Sequence, residues 1–129
     1  LRECAAGAYD DRWRDFGRNI KAAGLDDESI IRLGWEFNGD WYAWSADDPA
    51  AFAGCFRKVV TAAESQAPGL RWDWNVNRGA GQALVAASLA YPGDEAVDIV
   101  CALHGPELFD VLVARGWTPR RWTPPGGRC

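Results

Sequence analysis

From Asp10 onward the apolar positions Trp13, Phe16, Ile20 and Ala23 recur at helical spacing, and Gly24 closes the run as a C-terminal cap. A denser rhythm follows. Ser29 to Asn38 is nearly continuous in apolar residues, with Ile30, Ile31, Leu33, Trp35 and Phe37, and predicts a buried strand. Asp48 then caps a second helix with Pro49 in its first turn; Phe52, Phe56, Val59, Val60 and Ala63 share one face, and Pro68-Gly69 stops it. Leu70 to Asn77 predicts a second strand, Gln82 to Ala90 a short helix, and Ala96 to Leu103 a third strand. Pro106 to Arg115 predicts a further helix, ended by Gly116. This alternation predicts α/β units around a parallel sheet, and a doubly wound sheet and part of a closed barrel fit the order equally.

Alternate side chains of a strand share a face. Arg32, Glu36 and Asn38 therefore point one way, with Gly34 leaving space between them, and Leu33, Trp35 and Phe37 point towards covering helices. The next strand repeats the arrangement, with Arg71, Asp73, Asn75 and Asn77 opposite Leu70, Trp72, Trp74 and Val76. Burying Arg32 and Glu36 without partners costs several kcal/mol, about the margin of a whole domain. Asp73 is therefore expected to neutralise Arg32, and Asp73→Asn to destabilise the fold sharply. Glu36 is expected at the carboxyl end of its strand, where barrel enzymes place catalytic groups.

Composition narrows the field. With 129 residues, 48% hydrophobic and 25% charged, the chain has the balance of one globular domain. No apolar run approaches the roughly 20 residues of a membrane helix, and a net charge of -4 argues against nucleic acid as a partner. The charge is uneven: residues 1–114 hold 10 basic and 18 acidic groups, whereas residues 115–129 hold four arginines, three prolines, three glycines and no acid. The expected organisation is one domain over 1–114 and an irregular Arg/Pro/Gly-rich tail over 115–129. There is no Met and no basic-then-apolar leader, so the chain is expected to be a processed product or a piece of a longer one. Cys4, Cys55, Cys101 and Cys129 are widely spaced and His104 is the only histidine, so no metal site and no cofactor are expected. Three disulfide connectivities, or buried thiols, remain open.

Chemistry concentrates in Arg32-Leu-Gly-Trp-Glu36-Phe-Asn38-Gly39-Asp-Trp41-Tyr42-Ala-Trp44. Aromatic faces stack on the C–H groups of sugar rings while polar neighbours reach the hydroxyls. Trp41, Tyr42 and Trp44 are candidates for such a platform, Asn38, Asn75 and Asn77 for the polar contacts, and Glu36 for a general acid held among the rings. Trp13, Trp72 and Trp35 are assigned to the core.

This segment resembles the β-mannanases of glycoside hydrolase family 26, together with Trp72-Asp-Trp-Asn75-Val-Asn77-Arg and Tyr91-Pro-Gly-Asp94-Glu-Ala-Val-Asp98-Ile-Val. The blocks follow the family's order and rough spacing from about Tyr9 to Val100. The resemblance implies a partial (β/α)8 barrel, about half of one, running roughly from its third helix to its sixth strand; a complete barrel takes about 250 residues. It implies retaining hydrolysis of β-mannan or a related β-glycan, with Glu36 as general acid/base, Trp41 lining the sugar site, and an extracellular location. Trp35 stands where the family places a histidine. The family's nucleophile lies in a later Pro-Glu-Trp motif that this sequence lacks; Asp98, Glu107 and Asp110 are the only late candidates, and none matches the family pattern. Retaining hydrolysis needs a second carboxylate about 5 Å from the first, so the isolated chain is expected to be inactive and, with open sheet edges, prone to self-association. The alternatives are a non-catalytic carbohydrate-binding protein and an interaction module in which Glu36 is incidental.

Overall fold

A computed structural model describes residues 1–77 and 87–102. Its elements are helices α1 (Arg2–Ala5), α2 (Asp10–Ala22) and α3 (Pro49–Glu64), strands β1 (Ile30–Arg32), β2 (Arg71–Val76) and β3 (Ile99–Ala102), and a 3₁₀ turn at Ala87–Ala90. The strands form one parallel sheet in the order β1-β2-β3. Arg32 lies opposite Asp73, and Asn75 opposite Cys101.

The helical periods fall where the apolar spacing places them. α2 ends at Gly24, whose φ of 69° closes the helix, and its N–H reaches the Lys21 carbonyl. α3 begins at Asp48, whose Oδ1 accepts from Ala51 N at 3.1 Å, and Pro49 fills a first-turn position that needs no donor. Its Phe52, Phe56, Val59, Val60 and Ala63 join Trp72 and Trp74 of β2 in the core. Phe37 stacks on Phe52 at 4.5 Å and meets Trp74 at 5.0 Å, which carries this core to the end of the sheet beyond β1. At the other end of α3, Glu64 accepts from Trp72 Nε1 at 2.9 Å. A disulfide joins Cys4 of α1 to Cys55 of α3. No helix among the described residues is long and apolar enough to cross a membrane.

Half of a barrel is not what forms. The described residues give a small α/β fragment with strands of 3, 6 and 4 residues, and two of its three α-helices precede the first strand. A half barrel takes four strands with a helix after each. The Ser29–Asn38 run contributes only Ile30–Arg32 to the ladder, because Gly34 (φ 59°) and Glu36 (φ 52°) leave the extended region and turn the chain. Of the helix expected over Gln82–Ala90, the described part is the 3₁₀ turn. The helix expected over Pro106–Arg115, the end of the third predicted strand at Leu103, and the 115–129 tail lie outside the described residues.

Candidate functional site

The turn at 33–38 positions the candidate acid. Glu36 is the only non-glycine residue with positive φ among the described residues, a conformation L side chains avoid for steric reasons. Its N–H donates to the Asn75 carbonyl at 3.1 Å and to Asn75 Oδ1 at 3.2 Å. The Asn75 amide donates in turn to the Cys101 carbonyl at 3.3 Å, so one side chain ties the turn to both β2 and β3. Asn38 does the same one step further on: its Nδ2 donates to the Asn77 carbonyl at 2.7 Å and its Oδ1 accepts from Asn77 N at 2.9 Å. Glu36 is thereby fixed at the carboxyl end of the sheet, half-buried, and its carboxylate takes no hydrogen bond or ion pair among the described residues.

Four rings gather beside it. Trp35 meets Trp44 at 4.5 Å and Tyr42 at 5.6 Å, Tyr42 stacks on Trp44 at 4.5 Å and 14°, and Trp41 meets Tyr42 edge-on at 6.2 Å. Trp44 Nε1 donates to the Trp35 carbonyl at 2.9 Å. The Trp41 ring folds back over Gly39, where a Cβ would fall inside the indole, so glycine is required there for close approach. Trp35 is 40% exposed and Trp41 39%, so both present ring surface to solvent.

All seven residues expected in the site, Glu36, Asn38, Trp41, Tyr42, Trp44, Asn75 and Asn77, thus belong to one region at the carboxyl ends of β1 and β2. Asn38 and Asn75 spend both ends of their amides on the protein rather than offering them to a ligand. Trp35, assigned to the core by alternation, stands in the cluster instead. The alternation breaks at Gly34, and the crowding of aromatics on both sides of Asn38-Gly39 is the signal that marks Trp35 with them.

Two further placements bear on chemistry. Arg32 Nε donates to Asp73 Oδ2 at 2.6 Å, forming the expected ion pair. Burial pushes the Asp73 carboxyl up, opposed by the hydrogen bond and charge of Arg32. Asp98 accepts from Trp72 N at 2.9 Å, at the amino end of the sheet and roughly 10 Å along β2 from Asn75 at the rise of a strand. It is therefore remote from Glu36, while Glu107 and Asp110 lie outside the described residues. No group of three or more His, Cys, Asp or Glu among the described residues is arranged to hold a metal. A cavity of about 380 Å³ lies between the helices, lined by Asp10, Arg14, Arg57 and Lys58 and by none of the turn residues.

No protein-family model matches the chain, and no curated protein matches it.

Proposed function

We propose that this protein acts on a β-1,4-linked mannan or a related β-glycan, with Glu36 as the general acid/base of retaining hydrolysis. The observation that carries the proposal is a half-buried carboxylate, unpaired among the described residues and held in a left-handed turn beside two exposed indoles at the end of a parallel sheet. A sugar ring laid on Trp41 meets an apolar face, and Glu36, next to Trp35 in the chain, supplies the carboxyl that retaining hydrolysis uses as acid/base. The sequence blocks around Glu36, Asn75 and Asp98 support the same chemistry, and hydrolysis of this kind needs no cofactor. The Cys4–Cys55 disulfide supports an extracellular location, where polysaccharide substrates lie.

One observation favours a second reading. The sequence lacks the family's Pro-Glu-Trp nucleophile motif, and Asp98 lies at the other end of the sheet. A binding protein that keeps the platform without the nucleophile fits this equally. Titration calorimetry with mannohexaose, followed by chromatography of the products, tests both. Binding is expected, and Trp41→Ala is expected to weaken it about tenfold, the equivalent of roughly 1.4 kcal/mol of stacking. Release of shorter sugars that Glu36→Gln abolishes supports the hydrolase and overturns the expected inactivity of the isolated chain. Binding without release supports the binding protein. No binding of mannohexaose or cellohexaose overturns both.

A further inference from the structure

The carbonyl of Trp35 and the N–H of Glu36 belong to one peptide group, and each end of it is held by a different side chain. Trp44 Nε1 donates to the carbonyl at 2.9 Å, and Asn75 accepts the N–H through its side-chain oxygen at 3.2 Å beside its own backbone carbonyl at 3.1 Å. We infer that Trp44 and Asn75 are positioning residues that clamp this peptide and so hold Glu36 in its left-handed conformation, an inference that rests on Glu36 being the acid/base.

The peptide plane sets φ of Glu36. A half-turn of that plane reverses both hydrogen-bonding directions and releases Glu36 from its φ of 52°, the relaxation a residue other than glycine favours. The clamp opposes that rotation from two independently anchored sides. The Trp44 ring is stacked on Tyr42 and packed against Trp35, so its N–H cannot swing away without breaking two ring contacts. Asn75 is 1% exposed in the central strand, with its amide nitrogen on the Cys101 carbonyl of β3. Neither polar group is left for a sugar. Trp44 and Asn75 thus act through Glu36, and Trp41 remains the ring that meets the ligand.

Amide hydrogen exchange read by NMR tests this without relying on turnover. Trp44→Phe keeps a stacking ring and removes the donor; it is expected to speed exchange at the Glu36 amide by about tenfold while the Trp72 and Trp74 amides of β2 keep their rates. Asn75→Ala leaves the backbone carbonyl in place and is expected to have a smaller effect in the same direction, about threefold. Unchanged Glu36 exchange in Trp44→Phe overturns the clamp. Faster exchange across β2 as well makes Trp44 an ordinary packing residue and overturns it too. Mannohexaose affinity of Trp44→Phe, which keeps a stacking ring and loses only the indole N–H, is the separate readout. A tenfold loss of affinity with Glu36 protection intact would assign the indole N–H to the sugar and reject the clamp. Failure of the unaltered protein to bind mannohexaose, with the exchange pattern as expected, removes the proposed function and leaves the clamp standing.

Discussion

Asp73 is 1% exposed, yet among the described residues its side chain is paired with Arg32 alone and its Oδ1 has no hydrogen bond. Burial raises its carboxyl above the ordinary value, and the hydrogen bond and charge of Arg32 do not reverse this. Between the ordinary and the raised value the native state holds more protons than the unfolded chain. The stability this group contributes is therefore full below that window and is lost as pH rises through it. Asp73→Asn removes the slope. The stability of Asp73→Asn relative to the unaltered protein is thus expected to improve from about pH 3 to about pH 7, measured by urea unfolding at each pH. A relative loss over that range would show that the ion pair outweighs burial. The sharp destabilisation expected from the sequence is revised accordingly. The Arg32 side chain is 41% exposed and can turn to water when its partner becomes neutral, so the cost at neutral pH is expected to be about 1 kcal/mol or less. Arg32→Ala differs in kind: it strands a buried carboxylate and is expected to cost about 3–5 kcal/mol.

At the scale of elements, α3 depends on a cap that does two jobs. Asp48 accepts from Arg2 Nε at 2.8 Å and from Ala51 N at 3.1 Å, and these bonds, that from Arg2 first, hold its carboxyl below the ordinary value. A depressed carboxyl contributes stability above its unfolded value and loses it as pH falls through the folded one. Asp48→Ala is expected to lower Tm by about 5 °C near neutral pH, and the difference to vanish in acid, both read by thermal circular dichroism. An equal difference at both pH values would mean that packing, not the ionised cap, is lost. This cap was legible in the sequence because Asp48-Pro49 before a helical period is a local signal. The two faces of β2 were legible for the same reason: period-two alternation survives from Leu70 to Val76, and Trp72 and Trp74 do reach the core. The Ser29–Asn38 run misled because Leu33, Trp35 and Phe37 continue the apolar pattern after the backbone has left the ladder. Only φ at Gly34 and Glu36 distinguishes the turn from a strand, and alternation carries no information about φ. The site residues were legible as a cluster, since most lie within one short segment. The roles of Asn38, Asn75 and Trp44 were not, because their partners are backbone groups brought near by the fold.

At the scale of the molecule, the described residues form a three-stranded sheet with helices gathered on α3 and a small core, and small cores leave little margin. The Cys4–Cys55 bond compensates by constraining the unfolded chain over a separation of 51 residues. In the chain-entropy account a loop of that length is worth about 4 kcal/mol, comparable with the whole margin of a small domain. The paired change Cys4→Ala with Cys55→Ala is therefore expected to move the urea midpoint strongly downward. The site should respond differently. The Glu36 turn is tied to β2 through Asn38 and Asn75, and its rings brace one another, whereas α1 is held on α3 by the disulfide and by the Arg2–Asp48 bond. Below the unfolding transition, mannohexaose affinity is expected to remain within about twofold in this paired variant, even as the midpoint falls. Such a split would show that the disulfide sets how much of the chain is folded while the sheet end sets the geometry at Glu36. Should affinity fall in step with the midpoint, or the Glu36 amide lose protection while the β2 amides keep theirs, the helical layer would be part of the site, and the division between scaffold and platform would have to be redrawn.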